Sequence, residues 1–219
     1  MKLMEILSVI IFFLVTGVHL YASWKKDRSL RNKTKPFILL SLLAYYCFGA
    51  ESISLTVVAA LLFSWLGDVL LMGKGVKWFT VGGISFMISH FFFILSYAAR
   101  IEFARIPVWL ILLLAAVVTA ATVIIFSHLR PHLPNALFYP MFLYLMINGA
   151  MNCFAWFRSL TLNAQAGLIT AIGALLFYIS DCSLFFVRFK KDAKLKTHFL
   201  VMLTYSIGEF LIVTGLLGG

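Results

Sequence analysis

The chain has 219 residues, of which 63% are hydrophobic and 12% charged, and its formal net charge is +10. Soluble domains carry about 45–50% apolar and about 25% charged residues, so this composition excludes a soluble globular protein and indicates an integral membrane protein. The basic residues lie in short segments between apolar runs, where they act as topology signals, and no nucleic-acid partner is expected.

Eight apolar runs divide the chain. A membrane-spanning helix needs about 20 predominantly apolar residues, and the runs predict spans at about residues 4–22, 36–50, 53–72, 78–99, 107–127, 136–157, 166–187 and 198–217. Lys35-Pro36 is predicted to open the second and shortest span, with Pro36 at the first helical position. No connection is long enough to separate two domains. The sequence therefore predicts an all-α bundle of eight transmembrane helices in a single domain, residues 1–219.

The first run and the cysteines agree with this interpretation. Residues 4–22 are longer than the apolar core of a typical signal peptide and lack a small-residue cleavage pattern, so we expect a first span there. The three cysteines each lie in an apolar run without CxxC spacing, which is typical of buried small side chains. Because no span carries histidines or acids at metal-ligand spacing, no metal site is expected.

Two predicted spans carry an aspartate well inside an apolar run. Asp68 lies within the run Leu61–Leu71 of the third span, and Asp181 follows a similar run, Gly173–Ser180, in the seventh. A carboxylate at membrane depth costs about 2.5–3.5 kcal/mol on insertion scales, and residues of this kind usually serve a function. We therefore expect the other helices to bring the two aspartates together.

The third and seventh spans run through the membrane in the same direction. About four residues separate Asp68 from the inner end of its span and about six separate Asp181, so at about 1.5 Å per residue the two carboxyls differ in depth by about 3 Å. Equal depth on parallel helices is what a shared site requires.

Five further polar residues are candidates for this site: Lys35, His90, Asn148, Tyr205 and Glu209. Asn148 lies one turn from Asn152 on the same helix face, and Tyr205 lies one turn from Glu209. Each candidate also has a structural interpretation. Amides and imidazoles hydrogen-bond between membrane helices, an interfacial lysine can be an anchor, and a buried glutamic acid can be protonated and hydrogen-bonded.

The two halves of the chain show a weak similarity. If the spans are divided four and four, the third span of each half carries the aspartate and the fourth carries a mid-span polar residue, His90 or Glu209. An offset of four spans predicts a parallel internal repeat, related by an axis along the membrane normal.

Lysine and arginine are unevenly distributed between the two sides of the bundle. Fourteen lie in the first, third, fifth and seventh connections, and four lie at the N-terminus or in the other connections. The positive-inside rule then predicts that both termini face away from the cytoplasm and that the aspartates lie in the cytoplasmic half. Compact loops without eukaryotic targeting signals favour a bacterial inner membrane, although an endoplasmic reticulum protein would look similar.

Together these residues resemble the YhhN-type family of integral membrane proteins, which includes lysoplasmalogenases. The resemblance rests on Lys35-Pro36, Gly67-Asp68, Ser89-His90, Gly173-Ala174-Leu175-Leu176-Phe177 with Ser180-Asp181 and Arg188-Phe189 after it, and Tyr205-Ser206-Ile207-Gly208-Glu209. It extends from the second span to the eighth. The chain departs from the usual pattern at Glu209, where the family has glutamine, and it carries Asn148 and Asn152 in the sixth span.

The resemblance implies hydrolysis of the vinyl ether bond of a lysoplasmalogen to a fatty aldehyde and glycerophosphocholine or glycerophosphoethanolamine. The partners would be this lysophospholipid and membrane lipids, and no cofactor is required. A vinyl ether is hydrolysed by protonation of the carbon β to its oxygen and addition of water to the resulting cation. Two carboxyls, one protonated and one ionised, can supply the acid, the negative charge and the base.

In this scheme Asp68 and Asp181 are the catalytic pair, and the sequence does not assign the acid to one of them. Lys35 would support the ionised carboxylate. Tyr205, Glu209, Asn148 and His90 would line the substrate cavity. The sequence leaves the headgroup preference, the chain length and the oligomeric state open.

Two other functions also agree with intramembrane acids. A proton-coupled transporter of lipids or small molecules would need broken helices at mid-depth, and the predicted spans have few breaks beyond Gly82-Gly83 and Pro140. A non-catalytic membrane protein would use the aspartates only for helix packing. In that case Asp68→Asn would change the stability of the protein more than any activity.

Overall fold

The computed structural model describes residues 2–161, 164–190 and 198–219, and these ranges contain α-helices and short 3-10 segments but no strand. The α-helices are α1 Lys2–Trp24, α2 Arg28–Gly49, α3 Leu55–Leu70, α4 Val76–Ala98, α5 Val108–Leu129, α6 Phe138–Thr161, α7 Ala164–Phe189 and α8 His198–Leu217. The predicted all-α fold is confirmed, and each predicted span corresponds to one of these helices. Three residues used for the orientation prediction, Lys191, Lys194 and Lys196, lie outside the described ranges.

The second helix begins earlier than predicted. Its first residue is Arg28, so Pro36 lies inside the helix and Lys35 lies two turns into it. The Asp27 side chain caps this helix by accepting a hydrogen bond from the Leu30 amide at 3.0 Å, a contact that stabilises a helix start by about 1 kcal/mol. Proline removes one internal hydrogen bond without ending the helix here. The prediction that Lys35-Pro36 opens the helix was wrong because the capped basic segment is itself helical.

Six of the helices in the described ranges are long and apolar enough to cross a membrane, and the exceptions are α2 and α3. The first turns of α2 are basic, and α3 has 16 residues. A helix of that length spans about 24 Å, which is shorter than the hydrocarbon core of about 30 Å. The chain is therefore a multi-pass integral membrane protein in which Asp68, two residues before the end of α3, lies near one end of the bundle.

Consecutive helices pack as hairpins, α1 with α2, α3 with α4 and α7 with α8, and α6 packs against both α4 and α7. One cluster of buried apolar side chains extends from Phe12 in α1 to Val213 in α8. The fifth helix lies at the side of the bundle against α6 and buries only Thr122, Phe126 and Leu129. This packing leaves α2, α3, α4, α6, α7 and α8 around a common interior.

Glycines allow the helices of this interior to approach closely. A Cβ at Gly67 would lie 2.6 Å from the Phe86 ring, and a Cβ at Gly208 would lie 2.9 Å from the carbonyl oxygen of Gly173. Small residues at such contacts let membrane helices pack backbone to backbone. Gly67 thus lets the end of α3 that carries Asp68 approach α4, while the α7–α8 contact positions Tyr205 over the same interior.

Candidate active site

A cavity of about 110 Å³ lies between α2, α3, α4, α6, α7 and α8, and both Asp68 and Asp181 line it. Its volume is enough for several water molecules, since one water requires about 10–15 Å³ of such space. The cavity lies toward the end of the bundle that is formed by the α1–α2 turn, with Lys25 and Lys26, and by the last turn of α7, with Arg188. We call this end of the bundle the basic end.

Asp68 is paired with a cation. The Lys35 Nζ atom lies 3.0 Å from Oδ1, and the Tyr205 hydroxyl donates a hydrogen bond to Oδ2 at 2.9 Å. The aspartate is only 3% exposed, and a buried carboxylate is tolerated when it is paired and hydrogen-bonded. Each oxygen therefore meets a donor, one of which carries a positive charge, and this is the environment of a carboxylate ion.

Asp181, by contrast, meets only uncharged donors. The Tyr144 hydroxyl donates to Oδ2, and Asn148 Nδ2 donates to the same oxygen at 2.8 Å. Among the described residues, no hydrogen bond reaches Oδ1, and no ion pair joins this aspartate to a lysine or an arginine. The side chain is buried and lines the cavity. The two aspartates thus share one cavity but differ in their electrostatic surroundings.

The donors to Asp181 come from one face of α6, where Tyr144, Asn148 and Asn152 follow each other at four-residue intervals. Asn152 Nδ2 donates to the Asn148 carbonyl oxygen at 3.1 Å and to its Oδ1 at 3.4 Å. Because Asn148 Oδ1 accepts this bond, its Nδ2 faces the aspartate. Asn148 therefore hydrogen-bonds Asp181 without lining the cavity itself.

His90 lies beside the site but outside the cavity. Its Nε2 atom is 3.9 Å from Asp181 Oδ2, which is too long for a hydrogen bond, and neither ring nitrogen has a partner among the described residues. The ring packs edge-on against Tyr144 and Phe177, with centroid distances of 5.4 and 5.0 Å. His90 thus supports the tyrosine that binds Asp181.

Glu209 is also outside the cavity, although it lies one turn beyond Tyr205. It is fully buried, and neither carboxyl oxygen makes a hydrogen bond of good geometry within the described ranges. The Ser64 hydroxyl lies close enough to interact with this carboxyl, but it forms a hydrogen bond with the Ser89 hydroxyl at 2.7 Å. Of the predicted substrate-binding residues, only Lys35 and Tyr205 line the cavity.

The predicted site left out four ionisable side chains that line the cavity: Arg31, Tyr144, Arg188 and His198. Tyr144 is one of many aromatic residues in apolar runs, and only its four-residue spacing from Asn148 could have identified it. The two arginines were assigned to connections because the predicted helices were too short. Arg31 lies in the first turn of α2, and Arg188 lies in the last turn of α7.

The groups around the cavity suit proton transfer. A hydroxyl and an amide group donate to Asp181, and an ammonium and a hydroxyl group meet Asp68. Within the described ranges, no three His, Cys, Asp or Glu side chains are placed so that they could hold a metal ion together. The pair can donate a proton from one carboxyl while the other presents a negative charge to the same space.

Comparison with known proteins identifies the family. A model described as the YhhN family matches residues 30–216, and this range contains every residue that lines the cavity. Comparisons with curated proteins and with solved structures gave no match. Because the family model covers most of the chain, the expected family is confirmed: this protein belongs to the YhhN family of integral membrane proteins.

Proposed function

We propose that this protein is an intramembrane hydrolase that adds water to the vinyl ether bond of a lysoplasmalogen. The products are a fatty aldehyde and glycerophosphocholine or glycerophosphoethanolamine. The observation that carries the proposal is that two carboxyls share one cavity, while only one of them is paired with a cation. The association of the YhhN family with lysoplasmalogenase activity also supports it.

Asp181 is the acid in this proposal. A buried carboxyl without a neighbouring cation is accommodated best in its neutral form. The oxygen that accepts the bonds from Tyr144 and Asn148 is then the carbonyl oxygen, and the proton sits on Oδ1. From there it is transferred to the vinyl carbon β to the ether oxygen. The π electrons form the new C–H bond, and an oxocarbenium-like cation remains at the carbon next to oxygen.

Asp68 supplies the negative charge. Its ion pair with Lys35 and its bond from Tyr205 hold the carboxylate ionised and fixed before the reaction begins. A preorganised charge directed at a developing cation lowers the barrier without reorganisation of the site. The arrangement resembles that of glycosidases, in which one carboxylic acid and one carboxylate act around an oxocarbenium-like transition state.

Water completes the reaction. Its oxygen bonds to the cationic carbon, and one of its protons returns to Asp181, which is thereby restored to its acidic form. The hemiacetal then breaks its bond to the glycerol oxygen as its hydroxyl proton moves to that oxygen. One vinyl ether and one water give one aldehyde and one alcohol, and Asp68 keeps its charge throughout.

An apolar groove can accommodate the hydrocarbon chain of the substrate. It lies between α4, α6 and α7, and it shares Phe79, Gly83, Tyr144 and Phe185 with the cavity. Its remaining lining is largely apolar, including Ile84, Met87, Leu137 and Met141. A chain in this groove would place its first carbons beside Tyr144, next to Asp181. We further propose a bacterial inner membrane location with this site in the cytoplasmic half.

Aldehyde release by the purified protein tests this function. We expect release from a lysoplasmalogen and none from the matched saturated 1-O-alkyl lipid or the acyl ester, because neither contains a protonatable vinyl carbon. In D2O, with immediate reduction of the product, the aldehyde should carry one deuterium on the carbon next to its carbonyl group. Cleavage of the ester, or absence of deuterium at that carbon, would contradict the proposal.

A further inference from the structure

The cavity has a second set of lining residues that the proposed reaction does not use. Arg31 of α2, Arg188 of α7 and His198 of α8 line the same space as the two aspartates. Three different helices therefore contribute one basic side chain each. His198 lies within electrostatic range of both arginines and of Lys35, so the four groups form one cluster at the basic end.

The helical register places this set at a defined distance from the aspartates. Arg31 precedes Lys35 by one turn, Arg188 follows Asp181 by two turns, and His198 precedes Tyr205 by two turns. Residues four or seven apart share a helix face, and these intervals correspond to about 6 Å and about 10 Å along the axis. On all three helices the displacement is toward the basic end. The basic set thus forms a layer below the Asp68–Asp181 pair.

Within the described ranges, neither arginine has an acidic partner. Among the described residues, the ion pairs made by lysine or arginine are Lys35–Asp68 and Arg105–Glu102, and neither includes Arg31 or Arg188. The Nε atom of Arg31 is buried and has no hydrogen-bond partner in the part of the chain that the structure describes. The Arg188 guanidinium lies 5.7 Å from the centroid of the Phe79 ring. A buried donor without an acceptor is unfavourable, so an anion between these groups would stabilise them.

Further basic residues lie beyond this layer, toward the basic end of the bundle. A second pocket at the basic end shares Arg31, Lys35, Arg188 and His198 with the cavity and adds four basic residues, His19, Lys26, Arg28 and Lys74. No Asp, Glu, Phe, Tyr or Trp is among its described lining residues. Such a surface attracts anions. It offers neither a carboxylate nor an aromatic cage for an ammonium headgroup.

The spacing fits a glycerophospholipid. Seven bonds separate the protonated vinyl carbon from the phosphorus atom, which at about 1.5 Å per bond allows at most about 10 Å between them. This reach matches the distance of one to two helical turns between the aspartates and the basic layer. Arginine is suited to such a contact because its planar donors bind phosphate oxygens in pairs.

We propose that Arg31, Arg188 and His198 bind the phosphate group of the lysophospholipid, and that this protein selects its substrate by phosphate rather than by the amine of the headgroup. The identification of the lipid rests on the proposed function, but the binding of the anion does not. Choline and ethanolamine lipids should therefore bind equally well. A phosphomonoester lipid, which carries more negative charge than a phosphodiester, should bind more tightly than either.

Binding of saturated 1-O-alkyl lipids, which cannot be hydrolysed by vinyl protonation, tests the proposal without reference to activity. We would titrate the protein in detergent with alkyl-glycerophosphate, alkyl-glycerophosphocholine, alkyl-glycerophosphoethanolamine and alkylglycerol, and follow intrinsic tryptophan fluorescence. The wild type should bind the phosphate lipids at least tenfold more tightly than alkylglycerol, and sodium chloride should weaken only the phosphate lipids. Inorganic phosphate should compete only at much higher concentration, because it lacks the chain.

Variants locate the site. Arg31→Gln and Arg188→Gln should each reduce the preference for phosphate lipids about tenfold while leaving alkylglycerol binding unchanged. Arg130→Gln is the matched control, because Arg130 also packs on an aromatic ring, at 5.3 Å from the Phe138 centroid, but does not line the cavity.

Equal binding of alkylglycerol and the phosphate lipids would overturn the proposal, as would competition by inorganic phosphate at the same concentration as the lipids. Phosphate-dependent binding without aldehyde release would instead contradict the proposed reaction and leave the anion site standing.

Discussion

At the scale of single residues, Lys35 is what makes the two aspartates different. It lies 3.0 Å from Asp68, while only uncharged donors reach Asp181. Replacing the lysine by methionine keeps an unbranched side chain that is one heavy atom shorter, but leaves Asp68 without its cation. Removal of one partner of a buried pair costs about 3–5 kcal/mol, and we expect the lower part of this range because Lys35 is 16% exposed.

Thermal unfolding in detergent measures this effect. Lys35→Met should lower the unfolding temperature and abolish aldehyde release, whereas the double variant Lys35→Met with Asp68→Asn should recover most of the stability and none of the activity. An unchanged unfolding temperature in Lys35→Met would show that the ion pair does not hold the site together.

The hydroxyl of Tyr144 should matter for the rate rather than for the fold. It donates to Asp181 Oδ2, opposite the oxygen proposed to carry the reacting proton. Tyr144→Phe keeps the ring contacts with His90 and Phe185 but removes that bond. We expect kcat to fall about 10- to 100-fold, with little change in the unfolding temperature. Tyr139→Phe on the same helix is the control, since Tyr139 is 78% exposed, and equal losses in both variants would contradict a specific role.

Individual residues also show what the sequence could and could not predict. Asp68 and Asp181 stand out because charges are costly in apolar runs, and the structure places both in one cavity, although their catalytic role stays a prediction. Asn148 was predicted to line the substrate cavity, and the structure places it outside the cavity lining with a hydrogen bond to Asp181. Glu209 was also predicted to line the cavity and does not line it. Which face of a helix meets its neighbours depends on tertiary packing, so counting along one helix could not separate these cases.

At the scale of helices, the contact between α7 and α8 sets the position of Tyr205 and His198. A Cβ at Gly208 would meet backbone atoms of Gly173 and Phe177, each at 2.9 Å. We expect Gly208→Ala to destabilise the protein by about 1–3 kcal/mol, because added atoms in a tight contact force the backbone apart.

The matched control is Gly17→Ala in α1, where an added Cβ has no atom within 4 Å. This variant should be neutral or slightly stabilising, since alanine favours a helix over glycine by about 1 kcal/mol. Unfolding of both variants in detergent gives the comparison. A Gly208→Ala protein as stable as Gly17→Ala would show that the two helices can separate without cost.

Helix boundaries account for most of the remaining differences from the sequence prediction. Hydropathy locates the apolar part of a helix, so it placed the start of α2 at Pro36 and left Arg31 in a connection. The Asp27 cap and the helical basic segment extend α2 by two turns. The basic layer of the cavity therefore could not be recognised from apolar runs alone, because Arg31 and Arg188 lie on helical turns that the hydropathy assigned to connections and His198 is the first residue of its predicted span.

At the scale of the whole molecule, the fold class followed from composition, but the cavity did not. The cavity depends on α6 packing between α4 and α7, and nothing in the sequence of α6 specified these neighbours. The orientation in the membrane remains a prediction from the uneven distribution of basic residues. It places Lys74 on the cytoplasmic side and Glu51 on the opposite side.

Cysteine labelling in intact cells tests that orientation. In a Cys47→Ser background, where the remaining cysteines, Cys153 and Cys182, are buried, Glu51→Cys should react with a membrane-impermeant maleimide. Lys74→Cys should react only after permeabilisation. Both positions are exposed in the structure, so accessibility itself does not limit the comparison. The reverse labelling pattern would place the site in the outer half of the membrane.

The most direct test of the account is aldehyde release from a lysoplasmalogen by four purified and monodisperse proteins: wild type, Asp68→Asn, Asp181→Asn and Glu209→Gln. All three variants replace a buried carboxyl by its amide, but only the two aspartates line the cavity. We predict that each aspartate variant loses about 100- to 10,000-fold in rate, while Glu209→Gln stays within a few-fold of wild type. Full activity in either aspartate variant, or an equal loss in Glu209→Gln, would contradict a catalytic pair formed by Asp68 and Asp181.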